Sequence, residues 1–199
     1  MPGNEKKVLI RFRLRIALFN ASGADSVPMY NIDIPFTIRK MPARTVVGIS
    51  RRTTNAGGKS VRDIPAAWAA FLQQNANAKI KNRAAPPVMY AVYSDYASDW
   101  RGEYSYLIGC GVTREGAAPA GMEARRIPAQ TCAVFTVKGR MPDEVVMAWS
   151  QVWLSDLPRK YTYDFEVYDK RFVNPVVKEV DICVAVDPKK LKDTPEPAQ

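Results

Sequence analysis

Apolar and polar residues alternate at the start of the chain: Val8, Ile10, Phe12, Leu14, Ile16 and Leu18 interleave with Lys7, Leu9, Arg11, Arg13, Arg15 and Ala17. Successive strand side chains point to opposite faces, so a period of two predicts a β-strand with one buried face. Residues 20–25 carry turn chemistry, and a second alternating run follows in Ile32, Ile34, Phe36 and Ile38. The period becomes helical in two places. Residues 63–72 read as a helix with Asp63 as N-cap and Pro65 in its first turn. Residues 142–153 read as another, with Asp143 and Glu144 at its N-terminus.

These helices occupy matching places in an internal repeat. Met41-Pro42-Ala43-Arg44-Thr45 parallels Ile127-Pro128-Ala129-Gln130-Thr131, each a Pro-Ala-x-Thr lead into an apolar strand and then a tryptophan-bearing helix. Two strands follow each helix: residues 89–95 parallel 163–169, and 106–112 parallel 180–186. The expected fold is α+β. Duplicated β-α-β-β units, about 42–112 and 127–186, share a pseudo-two-fold axis, and an antiparallel sheet with two helices encloses a central cleft. Residues 115–121 serve as linker. Around this, residues 1–30 form a basic strand extension, 31–186 the ligand-binding body and 187–199 a frayed tail.

Composition narrows the chemistry. The chain of 199 residues has no histidine, which excludes a Ser-His-Asp triad, a Cys-His dyad and any His-ligated metal. Cys110, Cys132 and Cys183 are odd in number, far apart and set in apolar strand-like runs. Buried thiols in a reducing cytoplasm suit them better than disulfides or a metal site, for which no Cys-x-x-Cys spacing exists. No apolar run reaches about 18 residues. Arginines also interrupt the N-terminal run where a signal peptide would be unbroken, so a cytoplasmic protein without membrane contact is expected.

The net charge of +9 suggests nucleic acid until it is located. Residues 1–52 hold ten basic and three acidic side chains, against 19 and 17 in the rest. The basic character therefore belongs to the N-terminal quarter. No aromatic interleaves Arg11, Arg13 and Arg15, and no helix-turn-helix pattern follows. They read as a solvated strand face that discourages edge pairing, and no direct DNA binding is expected. Residues 55–60 end like a phosphate loop, but Thr53 stands at the first glycine position and Ile64-Pro65 delays the helix. They read as an exposed loop.

Several segments, taken in order, resemble one family. They are Val46-Val47-Gly48-Ile49-Ser50, Ile64-Pro65-x-x-Trp68, Tyr90-Ala91-Val92-Tyr93-Ser94-Asp95-Tyr96, Tyr104-Ser105-Tyr106, Trp149-x-x-x-Trp153 and Tyr161-Thr162-Tyr163-Asp164-Phe165-Glu166-Val167-Tyr168. Over about residues 32–186 the chain is similar to the GyrI-like, or AraC-type effector-binding, small-molecule-binding domain. The resemblance implies an aromatic pocket between the repeats with a glutamate at its floor, here Glu166. It also implies a free-standing member, without a DNA-binding domain or cofactor, that takes lipophilic and often cationic compounds.

Elementary chemistry points to the same residue. Strand alternation puts Asp164, Glu166 and Tyr168 on one face, where the first repeat offers Ala91 and Tyr93, so the acid has no twin. A carboxylate among aromatic rings loses hydration that a cation can replace, and ring faces attract the same cation. Tyr93, Tyr104, Tyr106 and Tyr168 are candidate walls. Trp68, Trp149 and Trp153 read either as core or as pocket; the last two share a helix face, one expected in the core and one at the cleft. Binding, for sequestration or sensing, is the favoured reading. A hydrolase using Glu166 as general base and a protein-binding inhibitor are the alternatives, and a protein partner or homodimer stays open.

Overall fold

The structure, a computed structural model, describes residues 7–15 and 29–191, with side chains from 35 to 191. Among the described residues, nine strands form one sheet: β1 (Lys7–Arg15), β2 (Met29–Met41), β3 (Arg44–Thr54), β4 (Met89–Ser94), β5 (Glu103–Val112), β6 (Glu123–Ile127), β7 (Gln130–Gly139), β8 (Tyr163–Tyr168) and β9 (Lys178–Ala185). Their order is β1-β2-β7-β9-β8-β4-β5-β3-β6, and every ladder is antiparallel. α1 (Lys59–Gln73) and the short α2 (Ala76–Lys79) follow β3, and α3 (Asp143–Leu154) follows β7. The expected α+β duplication is the one observed: β3-α1-β4-β5 and β7-α3-β8-β9 meet at the β4–β8 seam in mid-sheet.

Each unit borrows a strand from the other. β2 precedes the first unit but pairs with β7 of the second, Met41 opposite Gln130; β6 precedes the second but pairs with β3, Arg44 opposite Ile127. The corners where the chain crosses over are Pro42-Ala43 and Pro128-Ala129, the dipeptide repeated in the sequence. Proline lacks an N–H to continue a ladder, which suits it to the end of a strand. Matching β3 to β7 through these corners and following the registers inward makes Ala91 the counterpart of Glu166, and Tyr93 that of Tyr168. Ala91 and Glu166 are also direct partners across the seam, so the local two-fold axis passes between them.

Alternation along the strands builds a core on both faces. Val47, Ile49, Ala91, Ile108, Phe135 and Ile182 pack with Ala67 and Phe71 of α1 and Val145 and Val152 of α3. Val46, Val92, Leu107, Val134, Phe165 and Cys183 fill the opposite face. All three cysteines are buried and free, as their setting implies, and burial pushes the Cys132 thiol up to about 12.

Two local expectations are corrected. α1 begins at Lys59, four residues before the expected N-cap Asp63, so Pro65 lies inside the helix and not in its first turn. The early start comes from Gly57 and Gly58, whose positive φ angles (60° and 67°) turn the chain into the helix, and Asp63 instead lies 4.0 Å from Lys59 one turn away. Residues 55–60 are therefore not a plain loop: Asn55 precedes a 3-10 turn (Ala56–Gly58), and Lys59 and Ser60 open the helix. The expected turn at 20–25, the tail beyond 191 and the side chains of Arg11, Arg13 and Arg15 lie outside the described residues.

One close approach holds β3 and β5 together. Gly48 and Gly109 are direct partners, and a Cβ on Gly109 would lie 2.2 Å from the carbonyl oxygen of Val47. Gly109→Ala should force the strands apart and destabilise the fold by about 1–3 kcal/mol, the usual cost of overpacking. Urea denaturation measures this, and a wild-type midpoint would contradict the tight contact.

Candidate functional site

The seam supplies the centre of the site. β8 carries Asp164, Glu166 and Tyr168 on the helix-bearing face, and β4 sets Ala91 and Tyr93 opposite them. β5 adds Tyr104 and Tyr106, α3 adds Trp149 and Trp153, and α1 adds Trp68. The small Ala91 leaves room for the large side chains around the axis.

Glu166 is 2% exposed. Tyr93 Oη and Trp149 Nε1 donate to its Oε1 at 2.7 and 2.6 Å, and Tyr168 Oη donates to Oε2 at 2.6 Å. No cation pairs with it among the described residues. Burial raises its pKa above the usual glutamate value, and the three donors only partly offset this. Burial, and then the Glu166 charge, drive the Tyr93, Tyr106 and Tyr168 hydroxyls well above their ordinary range, so all three stay protonated, and Tyr93 and Tyr168 remain donors to Glu166.

A second buried acid lies two residues away. Asp164 accepts from Tyr96 Oη at 2.8 Å, Arg159 Nη2 at 2.7 Å and the Ala185 backbone N–H at 2.8 Å. Its side chain is fully buried and that of Arg159 is 2% exposed. The guanidinium carbon of Arg159 sits 4.4 Å from the Tyr161 ring centre and 5.9 Å from that of Trp149. Burial works against its charge, but Asp164, with Tyr96 and Tyr161, more than compensates and holds the guanidinium above its ordinary pKa.

Asn55, Tyr93, Tyr96, Trp100, Tyr104, Trp149, Trp153 and Arg159 line a cavity of about 10 Å³. This holds one water-sized group at most. Trp100 and Trp153 stack, with ring centres 5.4 Å apart and planes 6° apart. Asn55 ties the Trp100 segment to the floor: its Nδ2 donates to the Trp100 carbonyl at 2.7 Å, and its Oδ1 accepts from Tyr104 Oη at 2.9 Å. The cleft is filled by its own aromatic side chains.

The sequence candidates divide into two sets. Tyr93, Tyr104, Trp149 and Trp153 line the cavity. Glu166 is joined to it through Tyr93 and Trp149, while Tyr168, Tyr106 and Trp68 pack outside the lining. Tyr106 meets the Tyr93 ring edge-on at 5.2 Å, and Trp68 meets Tyr168 at 5.1 Å. Of the two helix tryptophans, Trp149 is 5% exposed and belongs to the core, Trp153 is half-buried, and both line the cavity. Sequence reasoning missed Asn55, Trp100 and Arg159 as lining residues. Tyr96 did stand in the aromatic motif around Tyr93, but Arg159 lies in the aperiodic stretch after α3, where no pattern marks it.

The family model of Cass2, the integron-associated effector-binding proteins, matches residues 37–186. The chain belongs to this family. Its fold is the GyrI-like one expected. YobU of Bacillus subtilis, which carries a transcriptional-regulator designation, is 30% identical over 153 residues, 75% of this chain and 96% of that one. An integron cassette protein from the mobile metagenome of Vibrio cholerae superimposes with a TM-score of 0.63 at 26% identity, over 76% of this Cass2-family chain and 95% of its own. SAV2435, solved bound to tetraphenylphosphonium, superimposes with a TM-score of 0.63 at 18% identity, over 79% and 97% of the two chains, a likeness of fold. No helix among the described residues is long and apolar enough to cross a membrane.

Removing one donor from Glu166 tests the site's electrostatics. Tyr168→Phe should lower stability by about 1–3 kcal/mol where the carboxylate is ionised. The loss should shrink as pH falls through the raised Glu166 pKa, because the missing bond serves the charged form. Urea denaturation over a pH series that spans the ordinary carboxylate range and runs up to neutrality and above checks this; a pH-independent loss would mean that Tyr168 acts through packing alone.

Proposed function

We propose that this protein captures a lipophilic, aromatic monocation in the cleft between its repeats, with Glu166 as the counter-charge, as an effector sensor or a sequestering protein. The observation that carries the reading is a fully buried carboxylate held by neutral donors alone. Such a group lacks the opposite charge that buried ions ordinarily have. A cation entering beside Tyr93 and Trp149 supplies it, and the aromatic faces add cation–π attraction of about 0.5–2 kcal/mol each. Tetraphenylphosphonium in SAV2435, which shares this fold, supports the ligand class.

Entry requires opening. A cavity of about 10 Å³ cannot hold such a ligand, and the Trp100–Trp153 stack covers it. Binding therefore separates these rings, and indole fluorescence reports it. A general-base role for the same carboxylate would first have to break one of its hydrogen bonds, because both of its oxygens are already engaged by Tyr93, Trp149 and Tyr168.

Titration with tetraphenylphosphonium should change tryptophan fluorescence saturably, and Glu166→Gln should weaken binding roughly 10- to 100-fold. The pH dependence has a definite sign. The free protein's Glu166 pKa is raised and a bound cation lowers it, so binding expels a proton. Affinity should rise with pH from the ordinary carboxylate range up to the raised pKa and then level off, whereas Glu166→Gln should be flat. Equal binding by the variant would remove the glutamate from the site.

A further inference from the structure

Arg159 is the charged residue of the cavity lining, and its hydrogen bonding is incomplete. A guanidinium carries five N–H donors and no acceptor. Here Nη2 reaches Asp164, while Nε and Nη1 are buried without an acceptor among the described residues. The usual two-pronged arginine–carboxylate contact is not formed. Asp164 divides its oxygens among Arg159, Tyr96 and the Ala185 backbone, so one prong alone is met. Rings of Tyr161 and Trp149 lie near the guanidinium. In-plane donors are not satisfied by ring contact, and buried polar groups are rarely left unpaired.

Charge balance then limits what can meet these donors. Arg159 and Asp164 neutralise each other. Glu166 is the remaining charge, and one ligand cation cancels it. An anionic group on the ligand would restore an imbalance between two buried carboxylates, whereas a neutral oxygen acceptor would not.

We propose that Arg159 is a specificity-determining residue: its Nε–H, which has no acceptor among the described residues, donates to a neutral carbonyl-type oxygen on the same ligand whose cation faces Glu166. The preferred ligand class is thus an aromatic monocation bearing an ester, amide or ketone. This inference rests on the cation reading of the cleft, and the test separates the two.

Two probes differ in the acceptor alone: (4-ethoxy-4-oxobutyl)triphenylphosphonium, an ester, and heptyltriphenylphosphonium, its hydrocarbon analogue of equal chain length. Arg159→Lys keeps the charge beside Asp164 but removes the Nε–H donor. The ratio of ester to heptyl affinity, measured by calorimetry, should fall about ten-fold or more from wild type to Arg159→Lys. In the wild-type protein, the Arg159 Nε–H proton resonance should move downfield on adding the ester and not the heptyl probe, a readout independent of how the variant folds. If neither probe binds the wild type, the cation reading and this inference both fall. If both bind but the resonance does not respond to the ester, or a folded Arg159→Lys keeps the wild-type ratio, the acceptor role is overturned and cation capture stands.

Discussion

The burial of a single negative charge on the two-fold seam is the constraint from which the rest of the site follows. Moving a carboxylate out of water is costly unless hydrogen bonds and an opposite charge replace its hydration. Here the bonds are provided and the charge is not: two tyrosine hydroxyls and one indole N–H hold Glu166. Each donor comes from a different element, β4, β8 or α3. The arrangement therefore fixes how α3 sits on the sheet as well as what the cleft can attract. The neighbouring ion pair of Arg159 and Asp164 shows the contrasting solution, in which the protein supplies its own cation.

Closure of the cleft follows from the same chemistry. Aromatic rings that would coat a ligand coat one another instead, through the contacts of Tyr93 with Tyr104, Tyr106 and Trp149 and of Trp100 with Trp153. Any ligand must exchange ring–ring contact for ring–ligand contact, so its net affinity is the difference between two similar quantities. For the cation proposed above, that favours flat or multi-ringed molecules over small ones, since a small ion cannot repay the separation of the rings.

The fold is legible in the sequence to the extent that it is periodic. The Pro-Ala-x-Thr repeat reveals the duplication because proline interrupts both ladders at equivalent corners, and strand alternation places Glu166 opposite an alanine. Helix starts are less legible. The two left-handed glycines before Lys59 begin α1 earlier than Asp63 and Pro65 suggest, since backbone geometry outweighs the N-cap preference. The site is legible where it lies on regular elements, as with Glu166, Tyr93, Tyr104 and Trp149. It is not where irregular segments fold over the cavity. Asn55, Trp100 and Arg159 arrive there through turns, and nothing in their sequence neighbourhood encodes a shared destination.

The exchange of β2 and β6 has a consequence for ancestry and for asymmetry. A single β-α-β-β unit with its lead-in strand would lack an edge that only a second copy could supply, so it would exist as a symmetric pair. In such a pair the residue at position 166 would face itself across the axis, with Cα atoms about 5 Å apart. Two glutamates there would repel, and two alanines would attract no cation. Joining both copies in one polypeptide removes that restriction. One half can carry the acid while the other yields space to it, a division of labour closed to identical subunits.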